Sequence, residues 1–186
     1  MKRAALSVLT ALALLGGVAE AGNDRGIDRA NYAVFNDVAR EVLRYVHYTV
    51  FDDVRATVEN GTVTLTGAVT MPFKKDDIGR RVARVPGVQA VRNLITVLPV
   101  SSFDEDLRYR TARAIYGNPS FWSYAAMANP PIHIVVQGGR VTLSGTVASD
   151  GDRMLARSLA SSLGALSVTD ALKTDAEVRE QLEAID

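Results

Sequence analysis

The sequence contains no cysteine among its 186 residues, which excludes disulfide scaffolds, thiolate metal sites, a cysteine nucleophile and anchoring through a lipid-modified cysteine. An excess of charge of one sign is also missing, because 21 Lys+Arg balance 21 Asp+Glu. A general nucleic-acid binder needs a basic excess to neutralise phosphates, so this balance argues against nucleic acid as a partner. With 47% hydrophobic and 23% charged residues, the composition is that of a globular protein.

Motifs that carry catalysis are equally scarce. The chain has no G-x-S-x-G nucleophile elbow and no phosphate-binding P-loop. Its two histidines, His47 and His133, have no spacing that pairs them with each other or with carboxylates as metal ligands. The acidic runs Asp52-Asp53 and 104–106 are interpreted as solvated caps. We therefore expect no enzyme activity, no cofactor, no metal and no small-molecule substrate.

The first 21 residues have the pattern of an export signal. Lys2 and Arg3 precede an apolar run over 4–15 that is too short to be a stable membrane anchor, and Ala19-Glu20-Ala21 fits the small-x-small cleavage rule. We predict a signal peptide over 1–21, cleavage after Ala21 and a periplasmic product; a retained transmembrane helix is the alternative. No later run is long enough to span a membrane, which predicts peripheral membrane contact at most. Residues 22–35 are expected to form a flexible lead-in.

The rest of the chain repeats itself. A decapeptide beginning at Asn60-Gly61 recurs at Gly138-Gly139, and both copies share the pattern G-x-V-T-L-x-G-x-V at an offset of 78 residues. Each copy follows a strand with alternating apolar residues and precedes a helical stretch, a glycine and a final strand. Asn-Gly favours a tight hairpin turn, because both central positions of a type I′ turn need positive φ. The chain is therefore predicted to hold two copies of one small unit.

Each unit is predicted to be an αββαβ sandwich of the α+β class, with both helices on one face of the sheet. The first unit covers 36–98, with its first helix capped by Asn36 or Asp37; the linker covers 99–103, and the second unit covers 104–173. The second unit carries an extra aromatic insertion over 116–128. Residues 174–186 open with a capping-box pattern, Thr174 to Glu177, and predict a short C-terminal helix.

The doubled motif, with Val85-Pro86-Gly87-Val88 and Val91-Arg92-Asn93-Leu94 after its first copy, resembles the BON domain, the bacterial osmotic-shock and nodulation domain. The second copy departs from this pattern at Leu163-Gly164 and Asp170-Ala171. The resemblance implies a non-enzymatic periplasmic protein that supports the cell envelope under osmotic stress. It also implies that the first helix of the second copy, about 104–116, contacts anionic phospholipid.

Two kinds of residue near that helix could contact a lipid surface. Arginine is attracted to anionic leaflets, and tryptophan and tyrosine favour the membrane interface. The candidate lipid-binding residues are Arg108, Arg110, Arg113, Phe121, Trp122 and Tyr124.

Other interpretations of the chain remain open. In one, the aromatic cluster fills the gap between the two units. In another, the protein is an adaptor or chaperone-like stabiliser that contacts envelope proteins through an exposed edge strand or a hydrophobic surface of one unit. An enzyme of unrecognised type is the third. A basic stripe at Arg80-Arg81-x-x-Arg84 is interpreted as solubilising.

Overall fold

The computed structural model describes residues 24–183, so the predicted signal peptide lies outside the described part. The first unit has two helices and four strands in the order α1 Asp24–Leu43, β1 Asp53–Glu59, β2 Thr62–Val69, α2 Pro72–Val82, β3 Ala90–Asn93 and β4 Thr96–Val97. The second unit follows as α3 Ser102–Tyr116, a 3-10 turn Pro119–Phe121, α4 Trp122–Ala125, β5 Ile132–Gln137, β6 Arg140–Val147, α5 Asp150–Ser161 and β7 Ser167–Thr174. The C-terminal helix α6 covers Asp175–Glu183.

Both units have the same sheet topology. In each, a hairpin pairs two antiparallel strands, β1 with β2 and β5 with β6, and a crossover helix returns the chain to a parallel strand, β3 or β7. The turns have positive φ at both central residues, 49° and 76° at Asn60-Gly61 and 56° and 72° at Gly138-Gly139. These are the angles that a type I′ turn requires. The predicted α+β fold of two repeated units is confirmed.

Glycine is also required within β2, opposite the start of β1. Gly67 has a φ of 104°, and a Cβ added there would lie 2.0 Å from the carbonyl oxygen of Asp53. No side chain can fit at that distance, so the backbones of β1 and β2 can approach only because this residue is glycine.

Each unit buries its own apolar core between the sheet and the helices. The helices contribute their inner faces and the strands their alternate side chains. In the first unit these residues are Val38, Val42, Val54, Val63, Leu65, Ile78 and Val82; in the second they are Leu107, Ile115, Ile132, Ile134, Leu143, Ala156 and Ala160.

The start of α1 differs from the prediction. The helix begins at Asp24 instead of at Asn36 or Asp37, so the part of the expected flexible lead-in from 24 to 35 is helical. The helix ends at Leu43. Val46 follows Val38 and Val42 at helical spacing, but it lies beyond this end with 81% of its surface exposed.

The interpretation of the acidic runs as solvated caps was wrong for three of their carboxylates. Asp52, Asp53 and Asp104 are buried. Each instead has a partner in the fold: Asp52 pairs with Lys74, Asp53 with Arg55, and Asp104 with the backbone of the β5–β6 turn. Local sequence does not reveal the pairings of Asp52 and Asp104, because Lys74 lies 22 residues from Asp52 and Gly139 lies 35 residues from Asp104.

The C-terminal helix has the predicted capping box. The backbone N–H of Glu177 donates to Oγ1 of Thr174 over 3.2 Å, and the backbone N–H of Thr174 donates to the Glu177 carboxylate over 2.7 Å. Glu177 also holds Arg153 of α5 at 3.0 Å, which ties α6 to the second unit. None of the helices within residues 24–183 is long and apolar enough to cross a bilayer.

The two units meet where the segment before β1 lies along the free edge of β5. The backbone N–H of Ile134 donates to the carbonyl of Val50 over 2.7 Å. The ring of Tyr48 packs on His133 with centroids 5.4 Å apart. An otherwise unpaired stretch of β5 is thereby covered by backbone from the first unit, which protects this edge from other pairing.

His133 should make this contact sensitive to pH. It is buried, and burial lowers the pKa of its imidazole below the ordinary 6.5, although nearby Asp53 and Asp52 act in the opposite direction. As the pH falls, the imidazole of His133 is therefore protonated in the unfolded chain before it is protonated in the folded chain. The contribution of His133 to the free energy of unfolding is fully present above pH 6.5 and is lost as the pH falls towards the folded-state pKa. Between pH 7.5 and pH 5, the denaturation midpoint of the wild type should decrease. The decrease over the same pH range should be smaller in His133→Gln. Equal slopes in the two proteins would contradict this assignment.

Candidate functional site

The helix α3 is held in place at its N-terminus. Ser101 caps it by accepting the backbone N–H of Asp104 over 3.2 Å. The Asp104 carboxylate in turn accepts the backbone N–H groups of Gly138 and Gly139, over 2.8 and 2.7 Å. Since these amides belong to the β5–β6 turn, the first residues of α3 and the tip of the hairpin form one rigid end of the second unit.

The three candidate arginines of α3 are not equally available. Arg113 is exposed. Arg108 turns towards the sheet, where Nη2 donates to the carbonyl of Val136 over 3.3 Å and the guanidinium lies 5.9 Å from the ring centre of Phe51. Arg110 lies 2.8 Å from the Asp106 carboxylate and donates to the carbonyl of Leu163. Arg113 is therefore the candidate whose charge is least committed within the unit.

The candidate aromatic residues point in opposite directions. Phe121 is fully buried in the core of the second unit, and Tyr124 is 9% exposed beside it, with ring centroids 5.7 Å apart. Trp122 lies between them in sequence and is 64% exposed. The cluster thus fills the core of the second unit instead of the gap between units, and Trp122 is its outward member.

Tyr124 occupies a place that Asp52 holds in the first unit. Its hydroxyl accepts the backbone N–H of Ala148 over 2.7 Å and donates to Asp152 over 3.2 Å. In the first unit the backbone N–H of Thr70, at the position 78 residues earlier, donates to Asp52 over 2.8 Å. The aromatic insertion therefore supplies the acceptor that a carboxylate supplies in the other copy.

Removing that hydroxyl should weaken the second unit. In Tyr124→Phe the amide of Ala148 loses its acceptor while the ring keeps its packing. Because Ala148 is exposed and the bond is only part-buried, its loss should cost about 0.5–1.5 kcal/mol of unfolding free energy. Urea denaturation of wild type and Tyr124→Phe measures this loss, and Tyr109→Phe, on an exposed ring, should leave stability within about 0.5 kcal/mol. Equal midpoints for the two variants would contradict the role of the hydroxyl.

Two exposed aromatic residues on α3 were missed by the sequence analysis. Phe103 and Tyr109 are each 53% exposed. Tyr109 precedes Arg113 by four residues, and both lie opposite the buried face of Leu107 and Thr111. The pair of Tyr109 and Arg113 could have been predicted from helical spacing, because residues four apart lie on one face of a helix.

Burial is the main cause that raises the pKa of Tyr116 and Tyr124, which keeps both hydroxyls protonated at neutral pH. Among the residues that the structure describes, no three His, Cys, Asp or Glu side chains are arranged to hold a metal ion. The second unit exposes a phenol and an arginine on one face of α3 and an indole on α4, a set of side chains that suits contact with a surface.

Two hairpin-centred αββαβ units, each with a core of its own, define a tandem-repeat protein of small α+β modules. The model of the BON domain matches residues 37–99 and 123–176. The chain therefore belongs to the BON domain family, and this membership indicates a non-catalytic module associated with the cell envelope.

Similarity to individual proteins is weak. No curated protein matches the chain. Among solved structures, CdsD, a structural protein of the type III secretion system of Chlamydia trachomatis, has a TM-score of 0.28 and 14% identity, covering 81% of this chain and 97% of that one. A structure of its C-terminal domain has a TM-score of 0.27 and 14% identity, covering 74% of this chain and 94% of that one. Values this low carry no argument about function.

Proposed function

We propose that the protein is a periplasmic, non-catalytic module that associates peripherally with anionic phospholipid and supports the envelope under osmotic or other stress. The observation that carries this proposal is the 64% exposure of Trp122 on an insertion in which the rings of Phe121 and Tyr124 are buried. Large aromatic side chains are usually packed inside, so an exposed indole on a rigid support favours an interfacial contact. The proposed lipid-contacting surface comprises Trp122, Tyr109 and Arg113; Arg108 and Arg110 lie on the same helix as Tyr109 and Arg113.

The expected strength of such a contact is modest. Burying the large aromatic rings of Trp122 and Tyr109 at the interface would contribute about 1.5–3 kcal/mol each. An arginine near an anionic leaflet adds about 1 kcal/mol. Glu105 and Asp106 are exposed on the same helix and oppose the attraction, although Asp106 is paired with Arg110. These contributions support weak, reversible attachment.

The fluorescence of Trp122 tests the proposal directly, because it is the only tryptophan in the chain. Vesicles containing phosphatidylglycerol should shift its emission to the blue, and vesicles of phosphatidylcholine alone should not. Arg113→Gln should weaken the titration by about fivefold, the effect of losing about 1 kcal/mol. Arg92→Gln, an exposed arginine of the first unit, is the charge-matched control. No shift with either vesicle, or equal loss in both variants, would contradict lipid contact at this surface.

A protein partner is the second candidate, and β7 is the feature that favours it. This strand of eight residues lies at the edge of its sheet, with β6 on one side only. Exposed edges can pair with another strand. Site-specific crosslinking at the exposed Thr169, performed in the intact envelope, distinguishes the two candidates. Crosslinks to one envelope protein without any vesicle-induced shift would favour the adaptor.

A further inference from the structure

The first unit has a groove between α1 and α2 that is lined by arginine. Its volume is about 470 Å³. Four arginines, two acids and a small apolar floor form its lining: Arg40, Arg44, Arg81, Arg84, Asp37, Glu41, Val85 and Pro86. The stripe interpreted from sequence as solubilising thus contributes Arg81 and Arg84 to one concave surface, together with Arg40 of α1 and Arg44, which directly follows α1.

The charges in this groove do not cancel. Arg40 pairs with Asp37 at 2.7 Å, and Arg81 pairs with Glu41 at 2.5 Å. Within the described residues, Arg44 and Arg84 have no ion pair. Four guanidinium groups against two carboxylates leave a local excess of two positive charges.

One of the paired arginines is also fixed in position. The guanidinium of Arg81 lies 5.2 Å from the ring centre of Tyr45, whose hydroxyl donates to Asp77 over 2.6 Å. A cation over an aromatic face is held by the ring quadrupole. Part of the groove wall is therefore ordered before any ligand arrives, which lowers the entropic cost of binding.

The fold does not require arginine at the positions of Arg81 and Arg84. At the same offset of 78 residues, the second unit has Leu159 where the first has Arg81, and Ser162 where it has Arg84. Helix C-termini favour cations in general, but α5 ends without any basic residue in its last turn. Arg81 and Arg84 therefore have no arginine counterparts at the matching positions of the second unit.

We propose that this groove binds a phosphate group, and a phosphomonoester dianion best of all. A phosphomonoester carries a charge of about −1.5 to −2 at neutral pH, which matches the local excess. Arginine binds phosphate oxygens through two parallel N–H donors, and Arg44 and Arg84 have these donors free. A carboxylate, with one charge, would neutralise only half of the excess. The site lies in a different unit from the lipid-contacting surface and does not depend on it.

The test uses the full chain and two probes that share the phosphomonoester group. Glycerol 3-phosphate serves as the soluble probe, and nanodiscs of phosphatidylcholine with phosphatidic acid serve as the lipid probe. Two-dimensional ¹H–¹⁵N spectra should show saturable shifts of the Arg44 and Arg84 side-chain Nε–H groups and of the Val85 amide. Arg44→Gln/Arg84→Gln should weaken binding about tenfold or more, because two charge-assisted hydrogen bonds are lost.

Arg92→Gln/Arg179→Gln removes two exposed arginines elsewhere and keeps the total charge equal to that of the test variant. It should change the affinity by less than about twofold, because screening weakens charges far from the site. Binding of either probe supports the site. The probe that binds shows whether the phosphate group comes from a soluble molecule, from a lipid headgroup or from both. Three outcomes would overturn the proposal: an equal loss of affinity in the two double variants, shifts spread over all exposed arginines, or no saturable shift with either probe. The vesicle-induced shift of Trp122 should persist in Arg44→Gln/Arg84→Gln, so this site and the lipid-contacting surface can fail separately.

Discussion

Replacing Asp52 with alanine should lower the free energy of unfolding by about 3–5 kcal/mol, the cost of breaking a buried ion pair by removing one partner. Asp52 is completely buried, and Nζ of Lys74 lies 2.7 Å from its carboxylate with the lysine side chain 7% exposed. The same carboxylate accepts the backbone N–H and the hydroxyl of Thr49 and of Thr70. Its removal therefore leaves an unpaired ammonium group and several unsatisfied donors inside the unit.

A double-mutant cycle separates the ion pair from the other hydrogen bonds. Lys74→Met removes the cation and keeps an apolar chain of similar length. It should cost less in the Asp52→Ala background than in the wild type, because the ammonium group is already unpaired there. Far-UV circular dichroism follows the unfolding of both units, and Trp122 fluorescence follows the second.

Trp122 should also report the substitution, although it lies in the other unit. Asp52 holds the segment whose Val50 carbonyl pairs with Ile134 of β5. We expect the transition monitored by Trp122 to shift to a lower denaturant concentration. This shift should be smaller than that of the transition monitored by circular dichroism. A loss below about 1 kcal/mol for Asp52→Ala would place the carboxylate in solvent, as the sequence first suggested.

Asp52 also illustrates which parts of the fold can be predicted from sequence. The hairpins were predictable because a type I′ turn depends on the two residues in the turn itself, Asn60-Gly61 or Gly138-Gly139. The capping box at Thr174 was predictable for the same reason. The local sequence does not distinguish Asp52 from an exposed acidic residue at a strand start. Its partners Thr70 and Lys74 approach it only after the hairpin and α2 have folded.

The candidate site was predicted in part. The sequence places arginines on α3 and aromatic rings after it, but it does not show that Arg108 and Arg110 turn to the carbonyls of Val136 and Leu163. Those acceptors are 28 and 53 residues away, so only the tertiary structure brings them close. The start of α1 at Asp24 has another cause: a polar stretch without an apolar periodicity gives no helix signal, while an adjoining helix can extend through it.

The aromatic insertion gives the sharpest contrast between neighbours. Phe121→Ala should lower the free energy of unfolding by about 3–5 kcal/mol, because the ring is fully buried and its removal leaves a cavity. Trp122→Ala should change stability by less than about 0.5 kcal/mol, because most of the indole is in solvent. The i, i+3 spacing of Phe121 and Tyr124 directs both rings to the core and leaves the residue between them on the outside.

These two substitutions also separate stability from function. Trp122→Ala should lose sedimentation with phosphatidylglycerol vesicles while keeping its unfolding midpoint. Phe121→Leu fills most of the volume, so it should recover much of the stability lost in Phe121→Ala and retain vesicle binding. If Phe121→Ala cost less than about 1 kcal/mol, the ring would not be part of the core. If Trp122→Ala sedimented like the wild type, the exposed indole would have no part in lipid contact, and the free edge of β7 would become the better-supported surface.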